Sequence, residues 1–561
     1  MLMKLAHLTR AIRALIALMI AFSRASLVGA EPLEPVDSSM FIQTDGTRFR
    51  APDGSVWIGR GVAFGNSVWS NPQSPSSFRH HRMSDYARAR EMGFNSVRFY
   101  LNYALFESDA SPGKYKEEGF EWIDRNVEAA KANGVSLVLN MHYPQGGFQS
   151  NGNGDALWKN EKNQDRLVAL WREIARRYRA EPAIAGYGPL NEPVPVNGLG
   201  EWESLAQRII DAIRETDVNH IIFVERAIWV KSGGTEKDRA RLFFPERLRD
   251  PSNRLALEFH FYEPMGFSHQ NTSWTRYKGQ FARYPDDSRV ELEGGRWAGF
   301  SEAGKPLPSG TFDWQEAGGN SVEPANPEWL VAYPVLQAQG LGERGRVWLE
   351  GLVVEASTDG GATYGTIGTA PGTTLDGWGF WSVDGSGSHD LRGAPGSSGP
   401  RLSVAGTKSD ANVTFSAMPI VLKPGVTYRL AGRVRGTSVA PGAVVRLRLD
   451  YHAGTSISSW NREFLESALR SYVDYSRERG LPLYLGEFGI ASDAFRENRG
   501  GLAWIEDMLD LLVSNDISYN YHTWRESPFG IHQHDDGYAD PARMNKPLVE
   551  ALKRLQAVRK P

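Results

Sequence analysis

Residues 83–142 read MSDYARAREMGFNSVRFYLNYALFESDASPGKYKEEGFEWIDRNVEAAKANGVSLVLNMH, and this stretch decides the fold class. Met83–Met92 has apolar residues at helical spacing and ends at Gly93, and the short apolar run Ser96–Tyr100 follows it. The same order repeats at once, with a helical stretch at Gly119–Asn133 and an apolar run at Ser136–Met141. Helices that alternate with short apolar strands are typical of βα units and a parallel sheet.

The alternation continues along most of the chain. The eight predicted strands are Gly59–Phe64, Ser96–Tyr100, Ser136–Met141, Ile184–Leu190, Ile221–Val224, Leu255–Phe261, Leu483–Phe488 and Ser518–Thr523. Further helical stretches are Asp165–Arg179, Trp202–Thr216, Arg462–Arg479, Leu502–Ser514 and Lys546–Val558. Eight strands with helical returns predict an α/β fold, a closed (β/α)8 TIM barrel. A hairpin around Asp53 and Gly54 is expected to plug one end of it.

One interval breaks this rhythm. About 220 residues separate the sixth and seventh strands, many more than a connection needs. Residues 340–450 are rich in Gly, Ser, Thr and Val and contain short alternating runs, which predicts an inserted jelly-roll-like β-sandwich. We interpret residues 264–340 as a long active-site loop. The expected division is a signal peptide at 1–30, a barrel at 31–335 and 451–561, and the inserted sandwich at 336–450.

Composition and charge exclude several classes of protein. Hydrophobic residues make up 41% and charged residues 23%, as in ordinary soluble globular proteins. The 63 basic and 66 acidic residues give a net charge of -3, so no overall field attracts nucleic acid or anionic lipid, and the expected substrate is neutral. The chain has no cysteine, which excludes a thiol nucleophile and disulfide bonds.

The first thirty residues have the pattern of an export signal. Lys4, Arg10 and Arg13 precede the apolar run Ala14–Phe22, and small residues end the segment at Ala30. The apolar run is too short to span a membrane, since a span needs about 20 residues. We therefore expect a secreted protein, extracellular or periplasmic, without membrane attachment after the signal is removed.

Polar and charged residues gather at the carboxyl ends of the predicted strands, where the active site of a (β/α)8 barrel lies. These residues are Arg98, His142, Asn191, Glu192, His260, Tyr262, Glu487 and Trp524. Two glutamates at opposed strand ends are hard to explain by packing, because an unpaired buried carboxylate is costly. The pattern indicates chemistry that uses both carboxyl groups.

These residues lie in motifs that resemble glycoside hydrolase family 5, the cellulase and mannanase family of a large clan of barrel enzymes. The motifs are Gly59-Arg-Gly-Val62, Asn95-Ser-Val-Arg98, Leu139-Asn-Met-His142, Tyr187-Gly-Pro-Leu-Asn-Glu-Pro193, His260-Phe-Tyr262, Leu485-Gly-Glu-Phe488 and Tyr521-His-Thr-Trp524. Their order and spacing agree with the family across nearly the whole barrel. The resemblance implies a retaining hydrolase with its two catalytic glutamates on strands four and seven.

By this resemblance, Glu192 is the general acid/base and Glu487 the nucleophile, with their carboxyl groups about 5 Å apart. Arg98 and Tyr262 would keep Glu487 ionised and in place, and Asn191 would bind the sugar 2-hydroxyl. His142 and His260 would complete the polar wall, and Trp524 would form the floor beneath the cleaved sugar. The family implies no metal and no cofactor.

The substrate class is less closely specified by the sequence. The resemblance implies a β-linked polysaccharide or oligosaccharide, and an endo-β-1,4-glucanase is the expected activity. β-Mannanase, exo-acting β-glucosidase or β-1,3-glucanase, and transglycosylase activities remain open, as does a non-catalytic carbohydrate-binding protein. The insert resembles jelly-roll carbohydrate-binding modules, with Trp348, Trp378 and Trp381 as possible sugar contacts. We expect a monomer.

Overall fold

A computed structural model describes residues 36–69 and 75–557, and its centre is a closed barrel of eight parallel strands. In chain order they are β1 Arg60–Phe64, β2 Ser96–Asn102, β3 Ser136–Tyr143, β4 Ile184–Gly188, β5 Ile221–Glu225, β6 Leu255–His260, β7 Leu483–Phe488 and β8 Ser518–Tyr521. β8 pairs with β1 and so closes the ring. The predicted TIM barrel and all eight of its predicted strands are confirmed.

Amphipathic helices surround the barrel and bury one face against it. In Glu161–Tyr178 the buried residues include Leu167, Leu170 and Ile174, which share one side of a 3.6-residue helix. The Asn160 side chain accepts a hydrogen bond from the Lys162 N–H and caps this helix. The α-helices are Asp85–Glu91, Glu117–Ala132, Asp155–Lys159, Glu161–Tyr178, Leu199–Arg214, Glu236–Ala240, Met265–Ser268, Arg462–Arg479, Gly501–Ser514 and Lys546–Ala557.

A small antiparallel sheet covers the amino-terminal end of the barrel. Its strands are Gln43–Asp45, Arg48–Arg50 and Val56–Trp57, and the last two flank the Asp53-Gly54 turn. Phe49 is buried against Phe223 of β5, in one cluster with Tyr484 of β7. This sheet plugs the barrel, so the candidate site residues lie at the other end.

Between β6 and β7 lie two packed antiparallel sheets with their own apolar core. In spatial order, the first sheet contains Arg296–Glu302, Val444–Ala453, Trp329–Gln339, Asn412–Ser416 and Gly379–Ser382, and Ile420–Val421 also pairs with its third strand. The second contains Gly310–Gly318, Thr427–Val439, Arg346–Ser357, Pro400–Gly406 and Gly387–Gly393, and Gly365–Pro371 also pairs with its third strand. The strands Asp286–Glu293 and Ser456–Trp460 pair with each other where the insert joins the barrel.

The antiparallel sheets begin before residue 336, where the sequence predicts their start. The strands Arg296–Glu302, Gly310–Gly318 and Trp329–Gln339 belong to them, so the interpretation of residues 264–340 as one long loop is wrong from Asp286 onward. The cause is composition, because the first of these strands carries mostly half-exposed and exposed side chains and lacks apolar alternation. Trp378 belongs to the sandwich core, and Trp348 is buried at 5% exposure, so their prediction as sugar contacts is also wrong.

The expected export signal at 1–30 lies outside the described residues. Within the described residues, no helix has both the length and the apolar character that crossing a membrane requires.

Candidate active site

Glu487 and Glu192 project from opposed sides of the barrel at its carboxyl end. Glu487 lies within β7, whereas Glu192 follows β4 in a short turn. The turn is held to the barrel because the Asn191 N–H donates to the Met141 carbonyl of β3. Glu192 itself has a φ of 45°, a region that residues other than glycine seldom adopt and that clusters at functional sites.

The two carboxyl groups are close together. A carboxylate oxygen of Glu192 and one of Glu487 lie within 4.8 Å of each other, and His260 Nδ1 lies within the same distance of both. The Glu192 side chain is 17% exposed and that of Glu487 is 6% exposed. The pair therefore lines a cleft that solvent reaches, instead of being sealed under packed side chains.

Glu487 is held by three donors. Arg98 Nη1 lies 2.7 Å and the Tyr100 hydroxyl 2.6 Å from its Oε1, and the Tyr262 hydroxyl lies 2.9 Å from its Oε2. Burial alone would raise the pKa of Glu487, but the positive charges of His260, His522 and Arg98 hold that pKa well below its usual range. Glu487 is therefore a carboxylate at neutral pH.

His260 joins the two carboxylates to a third one. Its Nδ1 lies 3.0 Å from Glu192 Oε1, and its Nε2 lies 3.5 Å from Glu225 Oε1 at the end of β5. Burial would lower the pKa of His260, but Glu225, Glu487 and Glu192 together raise it to about 9. His260 is therefore an imidazolium at neutral pH.

The charge of His260 predicts a pH dependence of stability. A histidine whose pKa is raised on folding stabilises the protein fully below about pH 6.5, and this contribution is lost as the pH rises through 9. A shift from 6.5 to about 9 corresponds to about 3 kcal/mol of unfolding free energy. Urea unfolding of wild type and His260→Gln at pH 6, 7.5 and 9.5 should show their difference shrinking with pH. If the difference in unfolding free energy did not change with pH, His260 would not carry the charge that we assign to it.

Beneath Glu192 and Glu487 lies a buried ionic layer that sequence reasoning missed. Glu225 of β5 and Glu258 of β6 are neighbours in the parallel register, and both side chains are fully buried. Arg98 Nε lies 2.9 Å from Glu258, and Arg98 Nη2 lies 3.5 Å from Glu225. Burial raises the pKa of both carboxyl groups, that of Glu225 strongly. The sequence carries one sign of this layer, because Glu225 and Glu258 each lie in an otherwise apolar strand.

His142 and Asn191 both lie beside residues that contact Glu487. The His142 ring stacks on the Tyr100 ring with centroids 3.9 Å apart, and burial lowers its pKa well below the usual value, so it is neutral. Asn191 Oδ1 accepts a 2.9 Å hydrogen bond from Arg98. The Asn191 Nδ2 donates to the Ser150 hydroxyl, near the turn that contains Glu192.

The structure does not bring Trp524 to the site, so its prediction as the floor of the cleft is wrong. Its side chain is fully buried and packs against Phe64 and His532. The strand β8 ends at Tyr521, and beyond it the Trp524 N–H bonds to the Ala63 carbonyl behind the barrel wall. His522 takes the place beside Glu487, with its Nδ1 3.8 Å from Glu487 Oε2.

Among the described residues, two overlapping sets have ligand atoms close enough to hold a metal ion. They are Glu192, His260 and Glu487, and the buried set Glu225, Glu258 and His260. The Arg98 guanidinium and the His260 ring already place positive charge against all four carboxyl groups. Two cationic side chains of the protein therefore face these carboxyl groups.

Aromatic side chains line the rim of the cleft. Trp69 lies beside His142 and His522, and Trp274, which is 57% exposed, lies beside Phe529. Trp229 is also exposed, whereas Trp158 is buried and donates to Gln149. Exposed indole faces can stack on sugar rings, because both surfaces are flat and largely apolar with polar edges.

Comparison with known proteins agrees with this geometry. Residues 56–342, just over half of the chain, match the profile of the cellulase family, glycosyl hydrolase family 5. Endoglucanase C of Acetivibrio thermocellus is 31% identical over 229 residues, which are 40% of this chain and 60% of that protein. A β-xylosidase of Phanerodontia chrysosporium is 35% identical over 150 residues, 25% of this chain and 31% of that protein.

A solved structure of Thermotoga maritima Cel5A in complex with mannotriose aligns with a TM-score of 0.45 and 17% identity, covering 88% of this chain and 97% of that one. The chain spans about 60% of the length of the endoglucanases C that it matches. With its closed barrel and the match over more than half of its length, the chain belongs to glycoside hydrolase family 5.

Proposed function

We propose that this protein is a retaining β-glycosidase that cleaves internal β-1,4 bonds of a neutral glucan. The observation that carries the proposal is the pair Glu192 and Glu487, whose nearest carboxylate oxygens lie within 4.8 Å. Retaining enzymes have carboxyl groups about 5 to 5.5 Å apart, whereas inverting enzymes need about 6.5 to 9.5 Å to admit a water molecule. The spacing favours retention.

In the first step, Glu487 attacks the anomeric carbon and Glu192 protonates the departing oxygen. The low pKa of Glu487 keeps the attacking carboxylate ionised. Tyr262 and Arg98 each donate to a different oxygen of Glu487, so they orient it for attack. The product of this step is a glycosyl ester of Glu487 and a free sugar leaving group.

In the second step, Glu192 acts as a base and removes a proton from water, which attacks the anomeric carbon and releases Glu487. Esterification of Glu487 removes the negative charge that lies within 4.8 Å of Glu192 in the free enzyme. Asn191, next to Glu192 and fixed by Arg98, is placed to bind the 2-hydroxyl as charge develops.

The glucan assignment is supported by the relatives, which include proteins named endoglucanase C and cellodextrinase A. One relative is named a β-xylosidase, so an exo-acting enzyme on short substrates is the second candidate. The insert supports this second candidate, because it contacts the segment that follows β6 at the catalytic end. There the Phe281 N–H bonds to Asp376 of the insert, and Arg289 of the insert donates to the Phe281 carbonyl.

Two assays test the proposal. 4-Nitrophenyl β-glucoside, β-cellobioside, β-mannoside and β-xyloside, with NMR of the first-formed anomer, should give hydrolysis with retained configuration. Carboxymethyl cellulose, mannan, xylan and β-1,3-glucan, with product lengths resolved, should give short β-1,4-glucan oligomers from the first minutes. Monosaccharide alone would favour the exo-acting candidate, and an inverted product would contradict the double displacement.

We further propose that the insert, residues 286–460, binds carbohydrate while residues 36–285 and 461–557 form the catalytic barrel. One face of the first sheet carries an exposed tryptophan on each of its two edge strands, Trp297 at 56% and Trp381 at 57% exposure. In the register Trp297 lies beside His452, and Trp381 lies beside Thr414. An aromatic platform with polar neighbours is suited to a neutral sugar chain.

Trp297→Ala and Trp381→Ala should each weaken binding to soluble cellulosic polymer about fivefold, because one aromatic contact contributes about 1 kcal/mol. Affinity electrophoresis measures this effect, and kcat/KM for an aryl glycoside should stay unchanged. Ile367→Ala, an exposed apolar residue on the other sheet, is the matched control. Equal affinity of all three variants would contradict sugar binding by this face.

We also propose that the protein acts as a monomer and that it is exported, and the proposal of export rests on the signal pattern of its first thirty residues. Amino-terminal sequencing of protein recovered from the culture medium or periplasm should begin after Ala30.

A further inference from the structure

A chain of polar contacts leads from the loop after β8 to Glu487, and it includes two residues that the proposed mechanism does not use. Glu526 Oε2 lies 3.1 Å from His522 Nε2, and His522 Nδ1 lies 3.0 Å from the Tyr100 hydroxyl. The Tyr100 hydroxyl lies 2.6 Å from Glu487 Oε1. Tyr100 is fully buried, whereas the His522 and Glu526 side chains are each 13% exposed.

The direction of each hydrogen bond follows from which atoms can donate. Tyr100 has one hydroxyl proton, and the carboxylate of Glu487 can only accept it. The Tyr100 oxygen must therefore accept at its contact with His522, so Nδ1 of His522 carries a proton. Glu526 Oε2 faces Nε2 across a 3.1 Å ion-pair contact, which favours a second proton on the ring at Nε2. His522 is an imidazolium in this arrangement, and its charge is balanced by Glu526.

We propose that His522 and Glu526 are positioning residues that act through Tyr100 to keep Glu487 ionised and correctly oriented. The inference rests on the proposed glycosidase function. A hydroxyl that accepts from a cation becomes a stronger donor, so Tyr100 stabilises the Glu487 carboxylate more than a tyrosine without this partner. The same bond would make Glu487 a better leaving group when water releases the sugar.

Other charged groups also face this relay. Glu487 is contacted by Arg98 and Tyr100 of β2, His142 of β3, Glu192 after β4, and His260 and Tyr262 at β6. His522 is faced by Glu526, Glu487 and His260. Burial alone would lower the pKa of His522, but Glu487 and Glu526 raise it above the ordinary value. The ring therefore stays charged where Glu487 must be ionised.

The acid limb of the pH profile of kcat/KM reports the ionisation of Glu487 in the free enzyme. In His522→Gln this limb should move to higher pH by about one unit, because a cation that stabilises the carboxylate is removed. Glu526→Gln should move the limb in the same direction by less, because His522 stays charged at this pH but loses the ion pair that holds its ring against Tyr100. Glu526→Asp keeps a carboxylate and should restore most of the shift. Asp535→Asn changes a carboxyl of the same loop that bonds to the Ser527 N–H, and it should leave the limb unchanged.

The route through Tyr100 has its own test. Tyr100→Phe should also raise the acid limb, and adding Glu526→Gln to it should raise the limb by less than the sum of the two single shifts. If the two shifts in the acid limb simply add, Glu526 does not act on Glu487 through Tyr100. Thermal unfolding of each variant shows whether a lost activity comes from misfolding or from protonation of Glu487. If Glu526→Gln does not fold, His522→Gln still tests the proposal.

Failure of this inference is distinct from failure of the proposed function. An active wild type whose acid limb is the same in Glu526→Gln and His522→Gln would overturn the relay and leave the glycosidase intact. A wild type that cleaves none of the aryl glycosides would overturn the proposed function itself.

Discussion

Glu487→Ala is expected to lower kcat/KM for aryl β-glycosides by about 10⁴-fold or more, because removal of a covalent nucleophile leaves only binding and acid catalysis. The folded state should tolerate the change, since Arg98 retains Glu225 and Glu258 as partners. Stopped assays with 4-nitrophenyl β-cellobioside measure the loss.

Azide distinguishes the two glutamates. In Glu487→Ala, a small anion can enter the space left by the side chain, attack the anomeric carbon and give a glycosyl azide of inverted configuration. In Glu192→Ala, azide would attack the glycosyl ester on Glu487 and give a product of retained configuration. Full activity of Glu487→Ala, or an inverted azide product from Glu192→Ala, would contradict the assigned roles.

Arg98→Met is expected to cost about 3 to 5 kcal/mol of unfolding free energy at pH 7, because it leaves buried carboxyl groups without their cation. Arg98 contacts Glu225, Glu258 and Glu487, and its own side chain is fully buried. The loss should shrink as the pH falls towards 4, since carboxyl groups of raised pKa are then protonated and no longer need a counter-ion.

Urea unfolding followed by near-ultraviolet circular dichroism measures this effect. Arg48→Met is the matched control, because Arg48 forms a half-exposed pair with Asp516, and such pairs contribute at most about 1 kcal/mol. A similar small loss in Arg98→Met would mean that the buried layer does not depend on its arginine.

The barrel could be predicted from the sequence because its strands are buried on both faces and its helices on one. Both patterns show directly in apolar spacing, as in Ser96–Asn102, where all residues are buried. The two glutamates could be predicted because Glu487 lies near the end of such a strand and Glu192 lies in the turn that follows one. The position of the insert could also be predicted, because the interval from Phe261 to Leu483 is far longer than a connection between neighbouring strands needs.

Other parts of the site depend on contacts that spacing does not encode. Tyr100 reads as a strand aromatic, and only the fold shows its hydroxyl against Glu487. Side chains alternate along a strand, so Trp524 would point inward with Asn520 and His522 if β8 continued past Tyr521. The strand ends at Tyr521 and the chain turns, which directs Trp524 elsewhere. Glu225 and Glu258 become partners through strand register, which no local pattern specifies.

The position of the insert has a consequence for biosynthesis. Leu257 of β6 pairs with Leu483 of β7, so a ribosome must make the whole sandwich before the barrel can close. Until then the six strands already made leave two unpaired edges, which are open to pairing with other chains. The sandwich has its own apolar core and ends beside β6, so a nascent chain can complete it first and present β7 close to its partner.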